Sequence, residues 1–125
     1  MARRKPLVQG SGQVEQLPNA DYLNIGKLNI GPGVVIAAAA TITIPNSSHI
    51  LLNNPGGGTI NVDIINGGSN GDIAVFRLAP GSGNVRVRKG NGNVSGSANR
   101  LLNNPEDILT MLGTGTGWIE IAWQG

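Results

Sequence analysis

The chain has 125 residues, with nine Lys and Arg against seven Asp and Glu, a net charge of +2 and only 13% charged residues. That length fits a single domain, and so weak a charge argues against both a polyelectrolyte tail and a strong nucleic-acid field. The absence of cysteine removes disulfides, thiolate nucleophiles and cysteine-based metal sites together.

The N-terminus, Met1-Ala2-Arg3-Arg4-Lys5-Pro6, is basic like the start of a signal peptide. Leu7-Val8 then gives way to Gln9-Gly10-Ser11-Gly12 instead of an apolar stretch, so no signal peptide is expected. Gln13 to Leu17 reads as a short strand, and Leu28 to Ile36, broken by Gly31-Pro32-Gly33, as another. The longest apolar run, Val34 to Ala40, is seven residues, far short of the roughly 18 that suggest a membrane span. Residues 1–39 are therefore read as an arm or adaptor and 40–125 as the folded β domain.

From residue 40 onward strand signals dominate, because Gly, Asn and Pro recur too often for a helix to propagate. Ala40 to Ile44, Thr59 to Ile64 and Asn84 to Arg88 each alternate apolar and polar residues, the pattern of a strand with one buried face. Ile73 to Leu78 is more continuously apolar and fits a central strand. Ile108 to Leu112 and Trp118 to Trp123, joined by Gly113-Thr114-Gly115-Thr116-Gly117, predict a closing hairpin. Between them lie Gly- and Asn-rich turns at 54–58, 66–71, 79–83 and 89–93, residues that reach positive φ at least cost. Short strands at this spacing predict an all-β, antiparallel β-sandwich of jelly-roll type with an extended N-terminal arm. One pentapeptide, Leu51-Leu52-Asn53-Asn54-Pro55, recurs as Leu101-Leu102-Asn103-Asn104-Pro105. It marks either equivalent turns in two sheets or one favourable strand-to-turn sequence used twice, and its isolation gives no support to a repeat array.

Catalytic constellations are hard to assemble from these residues. His49, the one histidine, lies beside Ser47 and Ser48, but no serine sits in a Gly-x-Ser-x-Gly elbow. Glu106 and Asp107 are adjacent, hence on opposite faces of a strand, and read as turn residues; Asp63, Asp72 and Glu120 lack ligand spacing. Gly31-Pro32-Gly33 and Gly81-Ser82-Gly83 lack the lysine and helix of a phosphate loop. Arg77, Arg86, Arg88, Lys89 and Arg100 are the largest basic set, without the interleaved aromatics of a nucleic-acid groove, and read as a solvated strand face or as donors of salt bridges to a partner's acids. The expectation is no enzyme, no cofactor, no metal, no nucleic acid and no membrane. The four aromatics, Tyr22, Phe76, Trp118 and Trp123, leave a thin core, so oligomerisation or docking is expected to supply part of the stability.

Ile42 to Gly125 resembles the C-terminal β domain of tailed-bacteriophage virion proteins. The residues that carry this are the Thr-Ile-Thr-Ile strand, His49, Ile65-Asn66-Gly67-Gly68, Gly71-Asp72, Val85 to Val94, Leu102-Asn103-Asn104, Asp107 to Thr110 and Gly117-Trp118-Ile119-Glu120. Arg3-Arg4-Lys5-Pro6-Leu7-Val8, followed by Gly12 and Gln16-Leu17-Pro18, is similar to the leader of phage tail-fibre and head-decoration proteins. The resemblance implies a virion structural protein, made in the host cytoplasm and functioning as a homotrimer or other small oligomer. The brevity of the chain beside a fibre shaft favours a capsid decoration, or cement, protein on the capsid surface, bound to the major capsid protein. In that reading Arg3, Arg4, Lys5, Leu7 and Val8 are arm contacts, and Trp118 and Trp123 are core or interface anchors. A short tail-fibre, tailspike-adaptor or baseplate component is one alternative. A carbohydrate-binding module, with a sugar platform on Trp118 or Trp123, is the other.

Overall fold

Alternating Ile, Thr, Val and Arg produce strands where the sequence places them, but the ladders that these strands enter are mixed. The computed structural model describes Gln9–Gly10, Gln13–Val14 and residues 28–125. Arg3, Arg4, Lys5, Leu7, Val8 and Tyr22 lie outside the described residues. β1 (Gln9–Gly10) and β2 (Gln13–Val14) pair antiparallel. The body follows with β3 (Val34–Ala37), β4 (Thr41–Thr43), β5 (His49–Asn53), β6 (Ile60–Val62), β7 (Ile64–Asn66), β8 (Ile73–Leu78) and β9 (Val85–Val87). β10 (Val94–Ser95), β11 (Arg100–Leu102), β12 (Ile108–Gly113) and β13 (Trp118–Gln124) complete it. No helix occurs among the described residues.

The all-β expectation holds; the uniformly antiparallel sandwich does not. β3, β5 and β8 stack in parallel, Val34 beside Ile50 and Ile50 beside Phe76. On the other walls β4 stacks in parallel on β7 and β6 on β9. Successive strands of each ladder come from successive turns of the chain around one core, roughly 25 residues per coil where Ile60 meets Val85, a solenoid-like period. Within the body, antiparallel pairing appears only after the stack, where β11 folds back on β9 and the β12–β13 hairpin folds back on β8. One sheet thus has six strands in the order β10-β13-β12-β8-β5-β3, facing a three-stranded (β11-β9-β6) and a two-stranded (β4-β7) sheet. Parallel neighbours require long crossovers, and the coil itself is that crossover.

Two consequences separate structure from pattern. The alternating run Thr59 to Ile64 is not one strand: at Asp63 the chain turns a corner, with the N–H groups of Asp63 and Ile64 both donating to the Ala40 carbonyl. The inward face changes there, so that Val62 and Ile65 are buried while Ile64 is exposed. β3, within the stretch read as arm, is the outer strand of the six-stranded sheet.

Inside, Ile50, Leu52, Phe76, Leu109 and Met111 from the large sheet pack against Val62, Val85, Val87, Leu102, Ile42 and Ile65 from the small ones. Side-chain amides close the corners. Asn54, 2% exposed, donates through Nδ2 to the carbonyls of Gly58 (2.6 Å) and Asn84 (2.8 Å), and its Oδ1 accepts from Gly56 N–H (2.9 Å). Asn93 Oδ1 accepts from Ile65 N–H (2.9 Å) and its Nδ2 donates to the Ile65 carbonyl (2.8 Å), filling the place of a further strand beside β7. Gly92 must be glycine for this approach, because a Cβ there would overlap the Asp63 carbonyl oxygen.

The twin pentapeptides end strands in two different sheets and are turned by different groups. Asn54 is buried and multiply bonded; Asn104 is exposed, and its turn is closed by buried Asp107, which accepts from the N–H groups of Asn103 and Asn104. Orphaning buried polar groups costs about 1–3 kcal/mol each, whereas an exposed substitution stays within about 0.5 kcal/mol. We therefore expect Asn54→Ala to lower unfolding free energy by on the order of 3 kcal/mol and Asn104→Ala to leave it nearly unchanged, as measured by urea denaturation.

Candidate functional site

The six-stranded sheet is apolar on both faces, the pattern of a sheet covered on both sides. Register fixes which residues point outward: Leu51 lies opposite Val35 and Arg77, His49 opposite Val75, Thr110 opposite Val75, and Leu112 opposite Ile73 and Ile119. The outward set is thus built of Val35, Leu51, Ile73, Val75, Leu112 and Ile119, broken by Thr110, His49 and Arg77. Val35 is 56% exposed, and Ile73 and Ile119 are each 40% exposed. A register shift between Thr110 and Met111 leaves Ile121, 52% exposed, on β13 as well. Large contiguous apolar patches on soluble proteins mark binding surfaces.

Charge is nearly absent from this sheet. Among the residues of its six strands the only Asp, Glu, Lys or Arg are Arg77 and Glu120. Glu120 does not serve the outer face: its carboxylate accepts a two-pronged contact from Arg100 of β11, Nε–Oε1 at 2.6 Å and Nη2–Oε2 at 2.8 Å. Arg77 donates from Nε to His49 Nε2 at 3.1 Å, and His49 Nδ1 lies 3.1 Å from the Gly31 carbonyl. With Nε2 accepting from Arg77 and Nδ1 facing the Gly31 carbonyl, His49 positions an arginine. Beyond Arg77 the face runs into a depression of about 310 Å³ lined by Leu51, Arg77, Leu78, Ala79, Pro80 and Pro105, among others.

The expected basic set is dispersed over the molecule. Arg86 lies on β9 and Arg88 just past its end, and Arg88 clamps Asp63 of its own chain through Nε–Oδ1 (2.7 Å) and Nη2–Oδ2 (2.6 Å). Arg86 Nη1 lies 3.4 Å from Asn61 Oδ1, and Lys89 Nζ donates to the Ser97 carbonyl. The salt bridges expected toward a partner's acids are, for Arg88 and Arg100, internal.

Trp118 is a core anchor. It is 3% exposed, its indole N–H donates to the Ile65 carbonyl at 3.2 Å, and it lies against Gly68, where a Cβ would overlap the ring. Trp123 packs half-buried against the core with the Arg100 guanidinium 5.4 Å from its ring centre. A sugar platform needs an open aromatic face; among the described residues Phe76 and Trp118 are buried and Trp123 is covered by Arg100. A second, more polar depression of about 420 Å³ is lined by Asn46, Ser47, Ser48, Ser69, Asp72 and Ile73, among others. Among the described residues no cluster of three His, Asp or Glu can hold a metal, and no helix is long and apolar enough to cross a membrane. The outward apolar set was readable in the sequence only as the unbroken character of Ile73 to Leu78; which residues face outward follows from the ladder register, parallel among β3, β5 and β8 and antiparallel at β12 and β13.

No family model, curated protein or solved structure matches the chain.

The two ion pairs give the fold an acid-sensitive edge. Hydrogen bonds from Arg100 hold the Glu120 carboxyl below its ordinary value, against an opposing push from burial and with help from the guanidinium charge. Arg88 does the same for Asp63. Each contribution is fully present above the unfolded values, about 4.3 for Glu and 3.9 for Asp, and is lost as pH falls through the lower folded values. The double variant Asp63→Asn/Glu120→Gln should therefore show a flatter dependence of urea midpoint on pH below about 4.5 than the natural sequence. Trp118→Ala should cost about 3–5 kcal/mol in the same assay, the range for deleting a buried aromatic.

Proposed function

We propose that this protein is a virion structural protein of the head-decoration type, which binds the major capsid protein through the outer face of its six-stranded sheet and stabilises the shell. The observation that carries the reading is that face: apolar across five strands, nearly free of charge, and exposed at Val35, Ile73, Ile119 and Ile121. The likeness of Ile42 to Gly125 and of the Arg3 to Val8 leader to phage virion proteins supports the choice of partner. Arg3, Arg4, Lys5, Leu7 and Val8 extend the contact as an arm, and the copies act as a homotrimer. The small core fits a protein that gains stability on docking, since a ligand that binds only the assembled shell adds RT ln(1 + [L]/Kd) to it, and several linked copies raise the avidity. The solenoid-like stack serves this by presenting a broad, rigid sheet where a jelly roll would present loops.

The test is imaging of particles assembled with and without the protein. Density over capsomer centres or junctions is expected; density confined to the tail would replace this reading with a tail component. Ile73→Asp/Ile119→Asp places two charges on the face without touching the core and should abolish particle binding, while the far-ultraviolet circular dichroism of the free protein stays unchanged.

A further inference from the structure

The charge pattern of the docking face specifies what lands on it. Arg77 is the one cation among the strand residues of the large sheet, and the one acid there, Glu120, is committed to Arg100. Of the acids near the end of the face, Asp107 is buried on the N–H groups of Asn103 and Asn104, and Glu106 does not line the depression. Arg77 is also held in place. Its Nε is taken by His49 Nε2, and His49 is itself tied to Gly31, so the guanidinium is oriented before anything binds. An arginine committed through Nε retains its Nη1 and Nη2 edge, a fork that matches the two oxygens of a carboxylate. Beside it the depression supplies apolar walls from Leu51, Leu78, Ala79 and Pro80.

We infer that Arg77 and this depression form a recognition pocket for the carboxylate of an Asp or Glu side chain, presented within an apolar segment of the partner protein. The inference rests on the docking role proposed above and adds its specificity element. A second copy docked by a twofold axis through this spot would set Arg77 against Arg77, a like-charge contact that disfavours that arrangement. The occupant is therefore a different surface, one that carries an acid among aliphatics. His49 is a positioning residue for the fork.

The probe is hexanoate, with hexanamide as its uncharged twin, titrated into the 15N-labelled protein and followed by NMR. Hexanoate is expected to shift the amides of Leu51, Arg77, Leu78, Ala79 and Ser82 with affinity on the order of millimolar. Hexanamide and Arg77→Gln should each weaken that response at least tenfold. His49→Ala should weaken it in part, and His49→Gln, which retains an acceptor for Nε, should restore it. Equal shifts from hexanamide, or shifts that persist in folded Arg77→Gln, would overturn the pocket; the hexanamide comparison on the natural sequence decides even where a variant fails to fold. Particle imaging separates the two readings. Particle decoration without hexanoate shifts removes the carboxylate pocket alone. Hexanoate shifts without decoration keep the pocket and remove the capsid role.

Discussion

The corner amides carry the architecture. A parallel stack of short strands exposes unpaired backbone groups wherever the chain turns from one wall to the next, and unpaired groups in the interior are among the costliest defects a protein can hold. Asn54 answers this at one corner by bonding three backbone groups at once, and Asn93 answers it at another by gripping both the N–H and the carbonyl of Ile65. The Ile65 carbonyl also takes the Trp118 indole N–H, so one peptide ties a corner, a small sheet and the closing hairpin together. With the corners satisfied, the aliphatic side chains of three walls meet in one core despite a sequence with 20 glycines.

The large sheet follows from the same constraint. Because β3, β5 and β8 come from successive coils, their outward residues line up across the ladder, and Val35, Leu51 and Arg77 fall side by side. An antiparallel meander of the same segments would not impose that register. The β3–β5–β8 part of the apolar outer face, with the arginine set into it, is thus a product of stacking, and the closing hairpin extends it through antiparallel pairs at Leu112 and Ile119. Among the described residues, the pairs Asp63–Arg88 and Glu120–Arg100 join charges within the chain.

Strand identity was legible in the sequence, since Thr-Ile-Thr, Val-Arg-Val and the two segments of the closing hairpin appear where alternation and turn residues put them. Ladder direction was not, because a strand shows the same period of two whether its neighbour runs parallel or antiparallel. The break at Asp63 was equally hidden: Thr59 to Ile64 alternates without interruption, and only the Ala40 carbonyl, distant in sequence, bends it. The bond between His49 and Arg77 was not legible either, because it depends on β5 lying beside β8, a neighbourhood created by stacking. The Leu-Leu-Asn-Asn-Pro twins teach the converse lesson, as identical words end strands in different sheets and acquire unlike partners.

The strand order also fixes a sequence of events. β13 sits between β12 and β10, so the seven residues Trp118–Gln124 must slot into a gap whose far side, Val94–Ser95, has been made well before them. Until they arrive β10 has no ladder to join, and the bottom of the core lacks the indole of Trp118. Loss of β13 would therefore unpair β10, strip β12 of one neighbour and open the core that Trp118 closes.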